Sequence, residues 1–386
     1  MRITRHNRRL ELTTETQRHR ASVSLCLCGY DSRYFRAILA VLLLVGSWLL
    51  LRRSLLVLLL AAKILGYSGP LNAWQGTVSR QTIMHAGVPI DVYRGRNPVS
   101  PLLIVHGVNP TGKDNVDLIR VSEGLAQAGY EVYVPDLVEM KRQHLRPEDA
   151  ATVKAVFQSI GRKAGIGCFS YGCGPALIAA MDRDIHSQIR FVIGFGGYFD
   201  IRETLEFVVT GPESPLAYNK WVYLAANSDL ADGETSRRRI RDIAEKRAAG
   251  VLLEGGIEDT LPADARSLLD VFSTTNRQEF RIRLKAAPQS LQQRLDALSP
   301  SHYVAQLQAP LILIHAAYDP SIPAQQSIEL AEAARANGIE YTLTLLQMFG
   351  HTRPALPELR VGTTFGYYIP EAFRFLRIVN RVIAIR

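Results

Sequence analysis

Residues 164–181 read AGIGCFSYGCGPALIAAM. An apolar run that suits a buried strand, 165–169, meets a small-residue run that suits a helix, 172–181, with Ser170 at the junction. So sharp a turn forces its central residue into a strained conformation and brings neighbouring backbone close. The positions two before and two after the serine must therefore be small. They are Cys168 and Gly172, one substitution away from G-x-S-x-G.

An acid and a histidine follow in a matching order. Residues 310–323, PLILIHAAYDPSIP, read as a strand running into a loop that carries Asp319. Residues 343–351, LTLLQMFGH, read as a further strand and a loop that carries His351. Between them, 324–337 has the alanine content and periodicity of one helix, stopped by Gly338. Two loops after successive strands of a parallel sheet open on the same edge. His351 is the only histidine after Asp319, so the order Ser, Asp, His has a single solution. Asp200, in GGYFD after the strand at 191–195, is the rival acid, because that strand end faces the same edge.

An oxyanion site should precede the serine. Residues 101–106, PLLIVH, form a third apolar strand that runs into Gly107, Val108, Asn109 and Pro110. A glycine after a strand end lets backbone N–H groups turn toward a cavity, and the expected donors are the Val108 and Tyr171 amides. His106 is expected to shape this loop by hydrogen bonding, and His315, inside a strand, to be a satisfied core residue.

HGVNP, CFSYG, the YDPSIP loop and the final GH together resemble the α/β-hydrolase superfamily over residues 75–385. The resemblance implies Ser170 as nucleophile, His351 as general base and then acid, and Asp319 as the group that orients His351. A neutral serine is a poor nucleophile until a base accepts its proton, and an acyl-enzyme divides one hard step into two easier ones.

The expected fold class is α/β: a mainly parallel sheet flanked by helices, with a helical cap insertion and an N-terminal apolar helix. A chain of 386 residues, 47% of them hydrophobic, is long enough for one such core. The runs 77–84 and 88–93 read as an antiparallel edge hairpin, 114–128 as a helix, 131–135 as a strand and 147–163 as the helix before the serine turn. The core is expected at 75–199 and 305–386. Residues 200–304 exceed what one crossover helix needs, and helix-like stretches near 214–226, 234–249, 262–275 and 291–298 suggest a lid over the serine or a helical decoration beside it. The basic run Arg237, Arg238, Arg239, Arg241, Lys246 and Arg247 is interleaved with Asp242 and Glu245, as on a solvated helix face.

Residues 37–66, AILAVLLLVGSWLLLRRSLLVLLLAAKILG, are too apolar for a surface helix and read as a membrane segment behind a basic tail, 1–36. Arg52 and Arg53 divide it, so either one tilted single-pass helix or a re-entrant or interfacial hairpin fits. Eight arginines before Ala37 favour a cytoplasmic amino terminus, while Arg52, Arg53 and Lys63 oppose it. The fold is expected to need nothing before Trp74. A net charge of +9 suits an anionic membrane surface, with no nucleic-acid motif beside it. Cys26 and Cys28 are too close for an ordinary disulfide, and Cys168 and Cys173 are expected to pack. No metal-ligand spacing and no cofactor motif is present. The sequence thus reads as a membrane-anchored serine hydrolase for an ester or thioester, its partners a small-molecule or lipid acyl substrate and the membrane. An acyltransferase using the same triad, or a non-catalytic lipid- or partner-binding member of the fold, are the alternatives.

Overall fold

The computed structural model describes residues 32–67, 76–211, 219–251, 260–355, 357, 360, 362 and 364–386. Most of the basic tail, with Cys26 and Cys28, lies outside the described residues, as does Trp74. The chain divides into two compact units, one ending at Leu55 and one beginning at Leu56.

Helix α1 (Ser32–Ile64) runs through that division. In the first unit its Leu42, Leu43, Trp48, Leu50 and Leu51 are exposed, and the Arg52 guanidinium lies 5.5 Å from the centre of the Trp48 ring. Val45–Ile64 is long and apolar enough to cross a membrane.

The second unit holds an eight-stranded sheet. β1 (Ser79–His85) and β2 (Val88–Arg94) form the expected hairpin, closed by Ala86 and Gly87, both at positive φ as a two-residue turn requires. β3 (Ser100–Val105) leads to α2 (Val116–Gln127), whose first turn is capped by the Asn115 side chain accepting from the Asp117 and Leu118 amides. β4 (Tyr130–Pro135), α3 (Glu148–Ser159), β5 (Ala164–Phe169), α4 (Cys173–Ala180) and β6 (Ile189–Phe195) follow. Among the described residues six α-helices come next: α5 (Ile201–Thr210), α6 (Asn219–Ala226), α7 (Glu234–Ala248), α8 (Ala263–Ser273), α9 (Arg277–Ala286) and α10 (Gln289–Leu298). β7 (Leu311–Ala316), α11 (Gln325–Ala336), β8 (Tyr341–Leu346) and α12 (Ile369–Ala384) complete the unit.

The strand order is β1-β2-β4-β3-β5-β6-β7-β8. Only β2 runs against its neighbours; every pairing from β4 to β8 is parallel. The carboxyl ends of β3, β5, β7 and β8 therefore share one edge, and the loops after them meet there.

Strand alternation sorts the two faces. Leu103, Val105, Ile166 and Leu313 point to a core shared with α3, α4 and α11. Leu224, Leu230, Ile240, Phe272 and Leu295, from the segment between β6 and β7, belong to that same core. Leu102, Ile104, Val132 and Ile312 point the other way, to α2 and α12. A third element completes that second face. Val57, Leu60 and Ala61 of α1 are buried in it, spaced as one helix face, and Lys63 reaches Glu123 of α2 at 3.3 Å. This corrects the expectation that the fold begins after Trp74. The last turns of the apolar segment belong to the same unit as the sheet, because their apolar stripe is needed to cover it.

The inserted helices are tied to the core through the loop after β4. His144 places Nδ1 2.8 Å from Glu139 and Nε2 2.9 Å from Asp229, and Asp229 also accepts from Arg294 of α10. Asn227 adds two bonds, accepting from the Leu145 amide at 2.8 Å and donating to the Gln143 carbonyl at 2.9 Å. Hydrogen bonding to Asp229, with a smaller contribution from Glu139, raises the His144 pKa against its burial. The basic run of α7 is spent locally: Arg237 on the Ala231 carbonyl, Arg241 on Ser228, Lys246 on Asp242, and Arg247 over Trp221.

Two outcomes follow. A chain beginning at Leu56 should fold, whereas one beginning at Gly69 should lose several kcal/mol, since each buried Leu or Val contributes about 1.5–3 kcal/mol; thermal melting of the two truncations checks this. His144 carries a raised pKa in the folded state, so its contribution is full below its ordinary value of about 6.5 and fades as pH rises through the folded value. His144→Gln should lower stability by about 1 kcal/mol, after screening of this half-buried cluster, near pH 6 and by less near pH 9, read from urea melts.

Candidate active site

The turn between β5 and α4 holds Ser170 at φ 53°, a left-handed conformation rare for a residue with a side chain. Two glycines beside it leave no room for a side chain. A Cβ at position 172 would strike the His106 carbonyl oxygen, and one at 107 would lie 2.8 Å from the Ser170 Cβ. The loop after β3 is thus pressed onto the serine.

That loop is held by His106. Its Nε2 accepts from the Leu137 amide at 3.0 Å, so the ring proton sits on Nδ1 and is donated to the Gly107 carbonyl at 2.8 Å. Burial lowers the His106 pKa and favours this neutral form. Val108 lies beside Ser170 on the wall of a shared cavity. Tyr171 lies in the short 3-10 turn Ser170–Gly172, where an N–H has no partner within the helix. Its ring points away, to Tyr198 at 5.8 Å between centres.

His351 bridges the other two groups. Its Nδ1 lies 2.7 Å from Asp319 Oδ2 and its Nε2 2.7 Å from Ser170 Oγ. With the ring proton on Nδ1 toward the carboxylate, Nε2 accepts the serine hydroxyl proton. His351 is itself at φ 62°, and Gly196, at the same φ, leaves room for the imidazole: a Cβ there would sit 3.4 Å from Nδ1.

Asp319 is buried. Burial alone would raise its pKa, but hydrogen bonds from His315 and His351, together with the Ile322 amide, outweigh it and hold the carboxyl far below the usual carboxylate range. Oδ1 accepts from the Ser321 and Ile322 amides at 2.8 and 3.0 Å. His315 is a satisfied core residue, with Nδ1 2.7 Å from Ser327 Oγ and Nε2 2.9 Å from the Ile322 carbonyl, and it adds a contact of 3.4 Å to Asp319. Asp200 is occupied elsewhere: it caps α5 by accepting from the Arg202 amide at 2.8 Å and accepts from Ser301 at 3.0 Å.

The cysteines differ from expectation. Cys168 and Cys173 form a disulfide, their Cα atoms 4.9 Å apart. The turn folds the start of α4 back beside the end of β5, which brings a pair five residues apart into bonding range. Gly196 and the His315 contact to Asp319 were also missed; the signals were the paired glycines of FGGY and the i, i+4 spacing of His315 and Asp319.

A cavity of about 690 Å³ opens at Ser170 and His351. Among the described residues none of 200–304 lines it; those helices pack on the side of Tyr171 and Tyr198. Among the described residues there is no group of three or more side chains that could hold a metal ion.

The BD-FAE family model, of an α/β-hydrolase family, matches residues 175–334, a stretch that includes Asp319 but neither Ser170 nor His351. No curated protein sequence matches this chain. Among solved structures, acylaminoacyl peptidase from Pyrococcus horikoshii is similar at 12% identity and TM-score 0.44, over 81% of this chain and 42% of that one. This chain thus spans about two fifths of the length of that peptidase. A meta-cleavage product hydrolase from Pseudomonas fluorescens is similar at 16% identity and TM-score 0.43, over 79% of this chain and 98% of that one. A puromycin-hydrolyzing peptidase from Mycobacterium tuberculosis is similar at 15% identity and TM-score 0.43, over 80% and 38%.

The close approach at Gly172 has a direct consequence. Gly172→Ala must push the His106 loop away from the turn, and should destabilise the fold by roughly 1–3 kcal/mol as overpacking does. Thermal melting measures it, and Gly167→Ala, where a Cβ meets nothing nearer than 3.5 Å, is the control expected to stay close to wild type.

Proposed function

We propose that this protein, an α/β-hydrolase by fold, is a serine hydrolase that cleaves a carboxylic ester or thioester through an acyl-enzyme on Ser170. The observation that carries the reading is the imidazole of His351 held at 2.7 Å from both Ser170 Oγ and Asp319 Oδ2. Ser170 Oγ attacks the carbonyl carbon while its proton passes to His351 Nε2. The imidazolium so formed is stabilised by ionised Asp319, and it returns the proton to the departing alcohol or thiol as the acyl bond breaks. Water then repeats the sequence: its proton goes to Nε2, its oxygen attacks the acyl carbon, and Ser170 leaves with the proton. The Val108 and Tyr171 amides are the donors proposed for the carbonyl oxygen as it gains charge.

The same reading places the protein at a membrane. The support is the exposed apolar surface of α1 before Leu56, which water would leave uncovered. Retention in the membrane fraction through high salt and carbonate, lost when residues 1–55 are removed, would support attachment by apolar burial over charge alone.

A fluorophosphonate probe should label the wild-type protein at Ser170 and leave Ser170→Ala unlabelled. Ser170→Ala and His351→Ala should each lower turnover by roughly 10⁴-fold or more, the double variant little further, because the groups act as a unit. Asp319→Asn should lose on the order of 10³–10⁴, and Asp200→Asn should retain turnover. Loss in Asp200→Asn with retention in Asp319→Asn would reverse the assignment. Faster cleavage of an amide than of the matched ester would overturn the substrate class.

A further inference from the structure

The cavity at Ser170 is built unlike its surroundings. Protein interiors pack closely, and a large apolar void sacrifices contacts that the core would otherwise make. Here about 690 Å³, within the ~300–1,000 Å³ of small-molecule sites, lies between the sheet and its helices. Gly167, Ile193 and Ile314 form its floor, while Leu60 and Ile64 of α1 and Val379 of α12 wall it. Polar groups line it as well, among them Asn109, Arg120, Arg353 and the Ser170–His351 pair.

We propose that this cavity seats the acyl group of the substrate, a hydrocarbon chain of medium length, with the last turns of α1 as one wall of the site. The inference rests on Ser170 being the nucleophile and adds what it acylates with. Position 167 is decisive. Its glycine is not required by backbone conformation, nor by close approach, for a Cβ there meets nothing nearer than Ile104 Cγ1 at 3.5 Å. What the missing side chain leaves is space on the cavity floor, on the strand that leads into Ser170.

Length follows from the strand. Gly167, three residues before Ser170, is the last β5 residue along this floor on that face, because the Phe191 ring fills the space beside Gly165, so the floor extends about 10 Å from the nucleophile at ~3.3 Å per residue. That accepts on the order of eight carbons of extended chain, at ~1.3 Å each from a ~1.5 Å C–C bond. A largely apolar wall takes up hydrocarbon readily, and the Ser170–His351 pair keeps the carbonyl at its own end of the cavity. Among the described residues, the inserted helices of 200–304 contribute nothing to this wall, so chain-length selection belongs to α1, α2, α12 and the sheet.

The test uses the full-length protein in detergent with nitrophenyl esters and with acyl thioesters of two to sixteen carbons. The expected kcat/KM optimum lies near eight carbons in at least one series and tells which leaving group is preferred; an optimum at two to four carbons in both overturns the proposal. Gly167→Val and Val379→Phe should each lower the eight-carbon to two-carbon ratio of kcat/KM at least tenfold, and an unchanged ratio in both overturns it. An octyl fluorophosphonate carrying a diazirine at its far carbon gives a reading that does not depend on variant folding. After labelling of Ser170 and irradiation, cross-links should fall within residues 60–66, 118–125 or 375–382; cross-links confined to 219–298 overturn the placement. Absence of any label on Ser170 instead overturns the hydrolase reading beneath it.

Discussion

The left-handed backbone at Ser170 is the constraint around which this end of the sheet is organised. A side chain at φ 53° costs on the order of 1–3 kcal/mol, and it persists only where its surroundings leave no alternative. Three features do this. Gly172 lets the turn lie against the His106 carbonyl, Gly107 lets the β3 loop press on the serine, and the Cys168–Cys173 disulfide joins the strand before the turn to the helix after it. His351 is held at φ 62° in the same manner, over Gly196. Two strained residues on adjoining loops are thereby made to face each other, which neither loop alone would favour.

Charge is treated with equal care on that edge. Asp319 is buried and yet ionised, because two backbone amides and two histidines surround it. A contrasting case lies nearby in sequence. Glu329 of α11 sits in partial burial beside Glu203, and burial first, then that neighbour, push it up to about 7. The donor set, more than the depth of burial, decides which carboxylate stays charged. Asp319 has the amides of its own loop on one oxygen and the histidines on the other.

What can be read from sequence is whatever depends on a short stretch of chain. The serine turn, the loops bearing Asp319 and His351, the edge hairpin and the Gly338 stop each declare themselves within a few residues, because strand, turn and cap chemistry are local. Helices α5 and α9 do not, as their apolar residues take meaning only from the core they share with α4 and the sheet. The disulfide is hidden for a related reason. Five residues apart in a strand, Cys168 and Cys173 could not meet; the turn that brings them together is legible, but its effect on their distance appears only once the chain is folded. Asp200 is a rival to Asp319 in sequence because both follow strand ends, and it loses that standing through the commitment of its oxygens to Arg202 and Ser301.

The apolar amino-terminal run misleads hydropathy because it joins two segments with different surroundings. Val57, Leu60, Ala61 and Ile64 follow the spacing of an ordinary amphipathic helix and fill the face between α2 and α12. Arg52 and Arg53 stand exposed just before them. A window that ignores this boundary counts the core-forming turns as membrane-spanning ones. What remains upstream is the run 37–51, fifteen residues or about 22 Å of helix at 1.5 Å per residue. That is shorter than the ~30 Å hydrocarbon layer. The buried turns after Leu56 serve the sheet instead, and Leu60 and Ile64 among them line the cavity at Ser170.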